Sequence, residues 1–150
     1  MNNSYGKAEL GRAFVLRISK GNELISELKR FCKEHEIKSA SLNFLGAFSK
    51  AKITCINKIE GSKLISEEFE FNEFLEFHGF GTIALQDKEI MPHLHATAAT
   101  KEGKTFCGHL HYGEIGVIAE IFLQELNAEM NRIPNKEIYG YPVLTMEKDW

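Results

Sequence analysis

The sequence predicts an α+β fold, a mostly antiparallel β-sheet packed with one main helix. Three observations carry this. Segments alternating apolar and polar residues recur along most of the chain, the pattern of half-buried strands. Only one segment, 23–35, places its apolar residues at helical spacing. A polar stretch with one glycine, Thr100-Lys101-Glu102-Gly103-Lys104-Thr105, separates two similar segments and reads as a hairpin turn.

Taken in order, residues 1–9 are polar and read as loose. Arg12–Ile18 alternates, with Phe14, Leu16 and Ile18 on one face and Arg17 on the other. Ser19-Lys20-Gly21-Asn22 makes a turn, and Asn22 is placed to cap a helix that starts at Glu23. In that helix Leu24, Leu28, Phe31 and His35 form one stripe, flanked by Ile25 and Cys32. Segments 39–48 and 51–56 read as two strands joined by a tight turn. Gly61 turns the chain into an edge strand over 64–71. A longer strand covers 73–85, where Gly79 and Gly81 suggest a bulge or a close backbone approach. Asp87-Lys88-Glu89 and Gly113-Glu114 are further turns. Residues 115–123 are apolar on both alternating faces, and their β-branched content favours a strand over a buried helix. Residues 127–142, with Pro134 and Pro142, read as a loop, and Val143–Met146 as a last short strand. One helix among about seven or eight strands gives the α+β class.

The 150 residues suit one domain with a proper core. Hydrophobic residues make up 43% and charged residues 26%, ordinary for a soluble domain. With 18 basic and 21 acidic residues, the chain lacks the excess and the basic runs by which duplex-binding modules neutralise phosphates. Cys32, Cys55 and Cys107 are widely spaced, which argues for reduced thiols rather than a disulfide framework. With no signal-peptide pattern, and no apolar run near the roughly 18 residues a span needs, the expected location is the cytoplasm, with no membrane partner.

Four of the six histidines fall in residues 93–111, as the pairs His93/His95 and His109/His111. Side chains two apart on a strand share a face, so each pair presents two imidazoles together. One hairpin register sets His95 opposite His109 and His93 opposite His111. A slip of one residue sends the pairs to opposite faces, and the sequence leaves both registers open.

These segments together resemble a known family. Arg12–Ile18 before a glycine and a helix, Phe44-Leu45-Gly46-Ala47-Phe48, and Leu75-Glu76-Phe77 before Gly79 carry the likeness. So do Pro92-His93-Leu94-His95-Ala96-Thr97, Gly108-His109-Leu110 and Ala119-Glu120-Ile121. Across about residues 10–146 the chain is similar to the PPC (plant and prokaryote conserved) domain family, in its free-standing prokaryotic form. The resemblance implies a sandwich of a mostly antiparallel sheet and a helix, assembled as a homotrimer, with other proteins as further partners. In plants the domain follows AT-hook motifs that grip DNA, and prokaryotic relatives carry a DNA-binding label by analogy. This chain has no such hook, so the label rests on fold alone. Members with three histidines resemble metal binders, and by position the ligands here would be His93, His95 and His109. His111 stands where an apolar residue is commoner, and Cys107 where glycine is usual.

Neutral imidazole suits zinc, and also nickel or iron. Three histidines and an open fourth position make a ligand-binding or catalytic centre rather than a sealed structural one. The plainer alternative is that the histidines only hydrogen-bond locally. The cupin metal motif also opens with His-x-His, but its glutamate is missing where Ala99 and Thr100 stand. Glu76 and His78 share a face and are either an acid/base pair or polar cover on an exposed or interfacial surface. Glu120, set among Val117, Ile118, Ile121 and Phe122, calls for an ion-pair partner such as Arg17 or Arg12 if it is buried. Cys107 is read as facing away from His109. Three functions follow: a trimeric regulatory or binding module with a histidine-bound divalent metal, a DNA-binding regulator, or a small metalloenzyme in which Glu76 or His78 moves a proton. No catalytic motif names a substrate.

Overall fold

The structure is a computed structural model and describes residues 3–61 and 63–146. Strand β1 (Glu9–Ser19) leads into helix α1 (Leu24–Glu34). Then come β2 (Ala40–Glu60), β3 (Lys63–Phe71), β4 (Leu75–Gln86), β5 (Glu89–Ala99) and β6 (Thr105–Asn127). Strand β7 (Met130–Pro134), a short 3-10 turn (Lys136–Ile138) and β8 (Pro142–Met146) finish the described chain. One sheet runs β3-β2-β6-β5-β4-β7-β8, with β1 added on β6 and a further pairing of β2 with β4. Every pairing is antiparallel except the short contact between β4 and β7. The expected class is therefore the observed one.

Strands β2 and β6 are long because each continues through a segment that reads as a turn. Ser49-Lys50 and Gly113-Glu114 do not reverse the chain; they lie side by side, with Lys50 paired to Glu114 and Ala51 to Gly113. Ser49 Oγ donates to Glu114 Oε1 at 2.7 Å and Lys50 Nζ lies 3.2 Å from Glu114 Oε2, so the polar residues satisfy one another across strands. Register shifts near Gly46–Lys50 and at Lys52/Ile53 bend the two strands together. As a result β2, β4, β5 and β6 close a circuit of pairings around the core.

The core fills the inside of this circuit and the side on which α1 packs. Phe48, Leu42, Ile53, Leu75, Ile83, Leu94, Leu110, Ile115 and Ile121 come from the sheet and Leu24 and Leu28 from the helix, all fully buried. Phe48 stacks on Phe77 with ring centroids 3.6 Å apart. Helix α1 is capped by Glu23, not Asn22. The Glu23 carboxylate accepts from the backbone N–H of Ile25 and Ser26, while the Asn22 amide turns back to donate to the Ser19 carbonyl. A carboxylate reaches two orphan donors at the positive end of the helix, which a neutral amide one residue earlier cannot match.

The glycines of β4 mark close approach rather than a bulge. Both of its ladders run without a shift, and a Cβ on Gly79 would strike the His95 carbonyl and the Phe44 ring. Residues 127–142, read as a loop, instead supply β7, the 3-10 turn and the start of β8. That correction places Arg132 on a strand.

Candidate metal centre

Alternation in β5 and β6 fixes which residues leave the core. In β5, Pro92, Leu94, Ala96 and Ala98 are buried, so His93, His95 and Thr97 point to the outer face. In the first half of β6, Gly108 and Leu110 are buried and His109 points out with them. The hairpin between them turns at Gly103 (φ 78°), with the Thr100 and Lys104 backbones bonded across it. Its register pairs His95 with His109 and ends there. This is the register that brings the two histidine pairs to one face.

Rows of paired residues cross the outer face from strand to strand. One row runs Val15, Phe122, Asn43, Phe80, His95 and His109. The next runs Arg17, Glu120, Leu45, His78, Thr97 and Cys107. On the other side lies Ala13, Gln124, Ser41, Thr82 and His93. One end of this face is therefore apolar and exposed, and the other end holds the imidazoles.

His93, His95 and His109 each offer a nitrogen within 4.8 Å of the others. Their ring centroids are 4.7 to 5.7 Å apart. Nitrogens sharing one tetrahedral zinc at about 2.0–2.1 Å lie roughly 3.3–3.4 Å apart, so modest side-chain rotations would bring the set onto one ion. The donor set fits such an ion in charge as well. Burial first, then Arg132 and His95, pushes the His93 imidazole down to about 4. Burial first, then His93, His111, His95 and Arg132, does the same to His109. Near neutral pH both rings are uncharged, the state in which imidazole ligates.

The remaining candidates separate. The His111 ring lies 4.5 Å from that of His109, but His111 is outside the converging trio. It is the extra residue of the β6 bulge, since Lys52 pairs with Tyr112 and Ile53 with Leu110, and the pairing with His93 that one of the two registers offered does not form. Glu76 and His78 are exposed on the outer face of β4, facing Ala99 and Thr97, and neither belongs to the trio. Cys107 shares the outer face with His109, two residues away, so the expectation that it points elsewhere is wrong by the period of the strand. It too stands outside the trio. Glu120 is exposed beside Arg17 rather than buried. The carboxylate that Arg12 holds is Glu125, at 2.6 Å.

Sequence reasoning missed Arg132. Only 8% exposed, it reaches from β7 to β4, where Nη2 donates to Thr82 Oγ1 at 2.7 Å. Thr82 is the residue paired with His93. No alternation in the sequence points to it, since Met130-Asn131-Arg132-Ile133 reads apolar, polar, polar, apolar and Pro134 follows.

The profile of the Plants and Prokaryotes Conserved (PCC) domain matches residues 5–127. The chain belongs to this family. A plant- and prokaryote-conserved protein from Pyrococcus horikoshii superposes with a TM-score of 0.83 at 32% identity, covering 99% of both chains. A metal-containing protein from Archaeoglobus fulgidus follows at TM-score 0.82 and 25% identity, over 94% of this chain and 98% of that one. A candidate DNA-binding protein from Bacteroides thetaiotaomicron shares the fold at TM-score 0.81 and 21% identity, over 94% of this chain and 99% of that one. The bifunctional protein GlmU of a Synechococcus strain is 29% identical over 140 residues, and the chain spans 21% of its length. Among the described residues no helix is long and apolar enough to cross a membrane.

Proposed function

We propose that this PCC-domain chain is a homotrimeric binding or regulatory module in which His93, His95 and His109 hold one divalent metal ion, zinc in the first instance and nickel or iron as alternatives. The observation that carries this reading is the convergence of three imidazole nitrogens, within 4.8 Å of one another, on one face. Three nitrogen donors leave a coordination position open, as a site that takes a ligand needs. The metal-containing relative from Archaeoglobus fulgidus, nearly equal in length, adds support.

Assembly is supported by the other end of the outer face. Val15 is 75% exposed, Phe80 56% and Phe122 51%, and they lie in one row interrupted only by Asn43. Exposed apolar residues clustered in this way are what a surface covered by another chain presents. The name of the Bacteroides thetaiotaomicron neighbour would make DNA the partner, but 21 acidic against 18 basic residues offer no surplus for phosphate contacts.

Metal analysis of protein purified without a nickel column tests the proposal. About one ion per chain is expected after zinc is added back. Occupancy below about a third of that would sink the metal reading.

A further inference from the structure

Arg132 is a cation without an anionic partner among the described residues, and it lies close to the three histidines. Its side chain is almost wholly buried, and Nε is enclosed without a hydrogen-bond partner. Nη2 is fixed on Thr82 Oγ1, and Thr82 faces His93 across the ladder. Among the described residues no carboxylate pairs with it, and burial alone governs its ionisation. Buried guanidinium groups normally have an anionic or multiply hydrogen-bonding partner, because an unpaired buried charge is costly.

The difficulty grows once an ion is bound. Three neutral imidazoles bring no negative charge, so a dication bound there would add to the positive charge of the nearby guanidinium with no anion to offset either. The arrangement is favourable only when an anion joins the two. A guanidinium offers a planar fork of N–H donors that matches two oxygens of a carboxylate or phosphate, and the ion's open position accepts another oxygen.

We propose that the site's ligand is a small oxyanion, a carboxylate or a phosphate, that bridges the ion held by His93, His95 and His109 to the guanidinium of Arg132, which Thr82 orients. This rests on the metal reading above and adds the chemical class of the ligand. The anion itself undergoes no covalent change; its oxygen takes the ion's open coordination position in place of solvent. With Arg132 only 8% exposed, its terminal nitrogens are reachable by a small anion rather than by the backbone of a polymer.

Cobalt(II) in place of zinc gives a test that does not depend on activity, since its visible absorption reports changes in its ligands. Oxalate and inorganic phosphate are each titrated into the cobalt-loaded protein, and the arm that responds identifies the oxyanion. A saturable spectral change is expected with wild type. About a tenfold weaker dissociation constant is expected for Arg132→Gln, with cobalt stoichiometry retained. Arg132→Lys should recover part of the affinity, because it keeps the charge and loses the fork. If Arg132→Gln does not fold, Thr82→Val, which only frees the guanidinium, should still weaken binding. Equal affinity in wild type and in whichever of these variants folds, or no response to either anion, would overturn the inference. If cobalt itself gives no ligand-field bands before any anion is added, the metal reading has failed and takes this inference with it.

Discussion

The two ends of the outer face are built from the same rows of paired strand residues yet do different chemistry. At the β1–β6 end, Val15 and Phe122 stand exposed with nothing polar to hold. At the β4–β5–β6 end, Phe80 gives way to an exposed His95 and a half-covered His109, with Arg132 folded in near them. Both ends rest on the same buried layer, so the difference is not one of scaffold. It lies in what the side chains lack: the apolar end lacks cover, and the histidine end lacks charge balance. On the proposed reading, another copy of the chain would meet the first deficiency, and a cation with its anion the second.

Separating the two ends should therefore be easy. Phe122→Asp leaves a residue already exposed in one chain, so the fold should persist by circular dichroism. A charge in the apolar row should reduce the sedimenting species from a trimer to one chain of 17.0 kDa. Bound zinc should survive, because all three imidazoles belong to one chain. Loss of metal together with assembly would mean that the two ends are not independent.

The converse variant should do the opposite. His109→Ala removes one of three donors and should lower zinc content about tenfold or more, read by mass spectrometry of metals, while the trimer keeps its mass. His111→Ala, one ring away on the bulge, should change zinc affinity by no more than about threefold. A large effect at His111 would make it a fourth ligand.

A smaller effect separates the ends by pH. For His93 and His109 the folded chain resists protonation from the ordinary 6.5 down to about 4, whereas the unfolded chain takes protons up throughout that window. The unfolded state then binds more protons, so the stability of the metal-free protein should fall as pH drops from about 6.5 to about 4 and level off below. Glu125, held down to about 2 chiefly by the side-chain hydrogen bonds from Arg12, acts in a lower window, with stability lost as pH falls from about 4.5 towards 2. Melting curves of His93→Gln/His109→Gln should flatten the upper window and leave the lower one unchanged.

Much of the histidine end was legible in the sequence, because a strand's period of two and a glycine turn leave few ways to align His-x-His with His-x-His. The outer position of His93, His95 and His109 follows from Pro92, Leu94, Ala96 and Leu110 being the residues that the core wants. The bends were not legible. Ser49-Lys50 and Gly113-Glu114 look like turns when each is read alone, and only their mutual pairing makes them strand. The apolar neighbours of Glu120 left its burial open, and the structure exposes that face in a single chain. Arg132 was hidden for a different reason. Its significance depends on reaching Thr82 from fifty residues away, a contact that no local pattern encodes.

X-ray absorption at the zinc edge of the zinc-loaded protein bears most directly on the claim that these imidazoles share one ion. Three nitrogen scatterers at about 2.0 Å with the outer-shell pattern of imidazole, plus one further light atom, are the expected result. A sulfur shell, or a spectrum of zinc surrounded only by water oxygens, would contradict it.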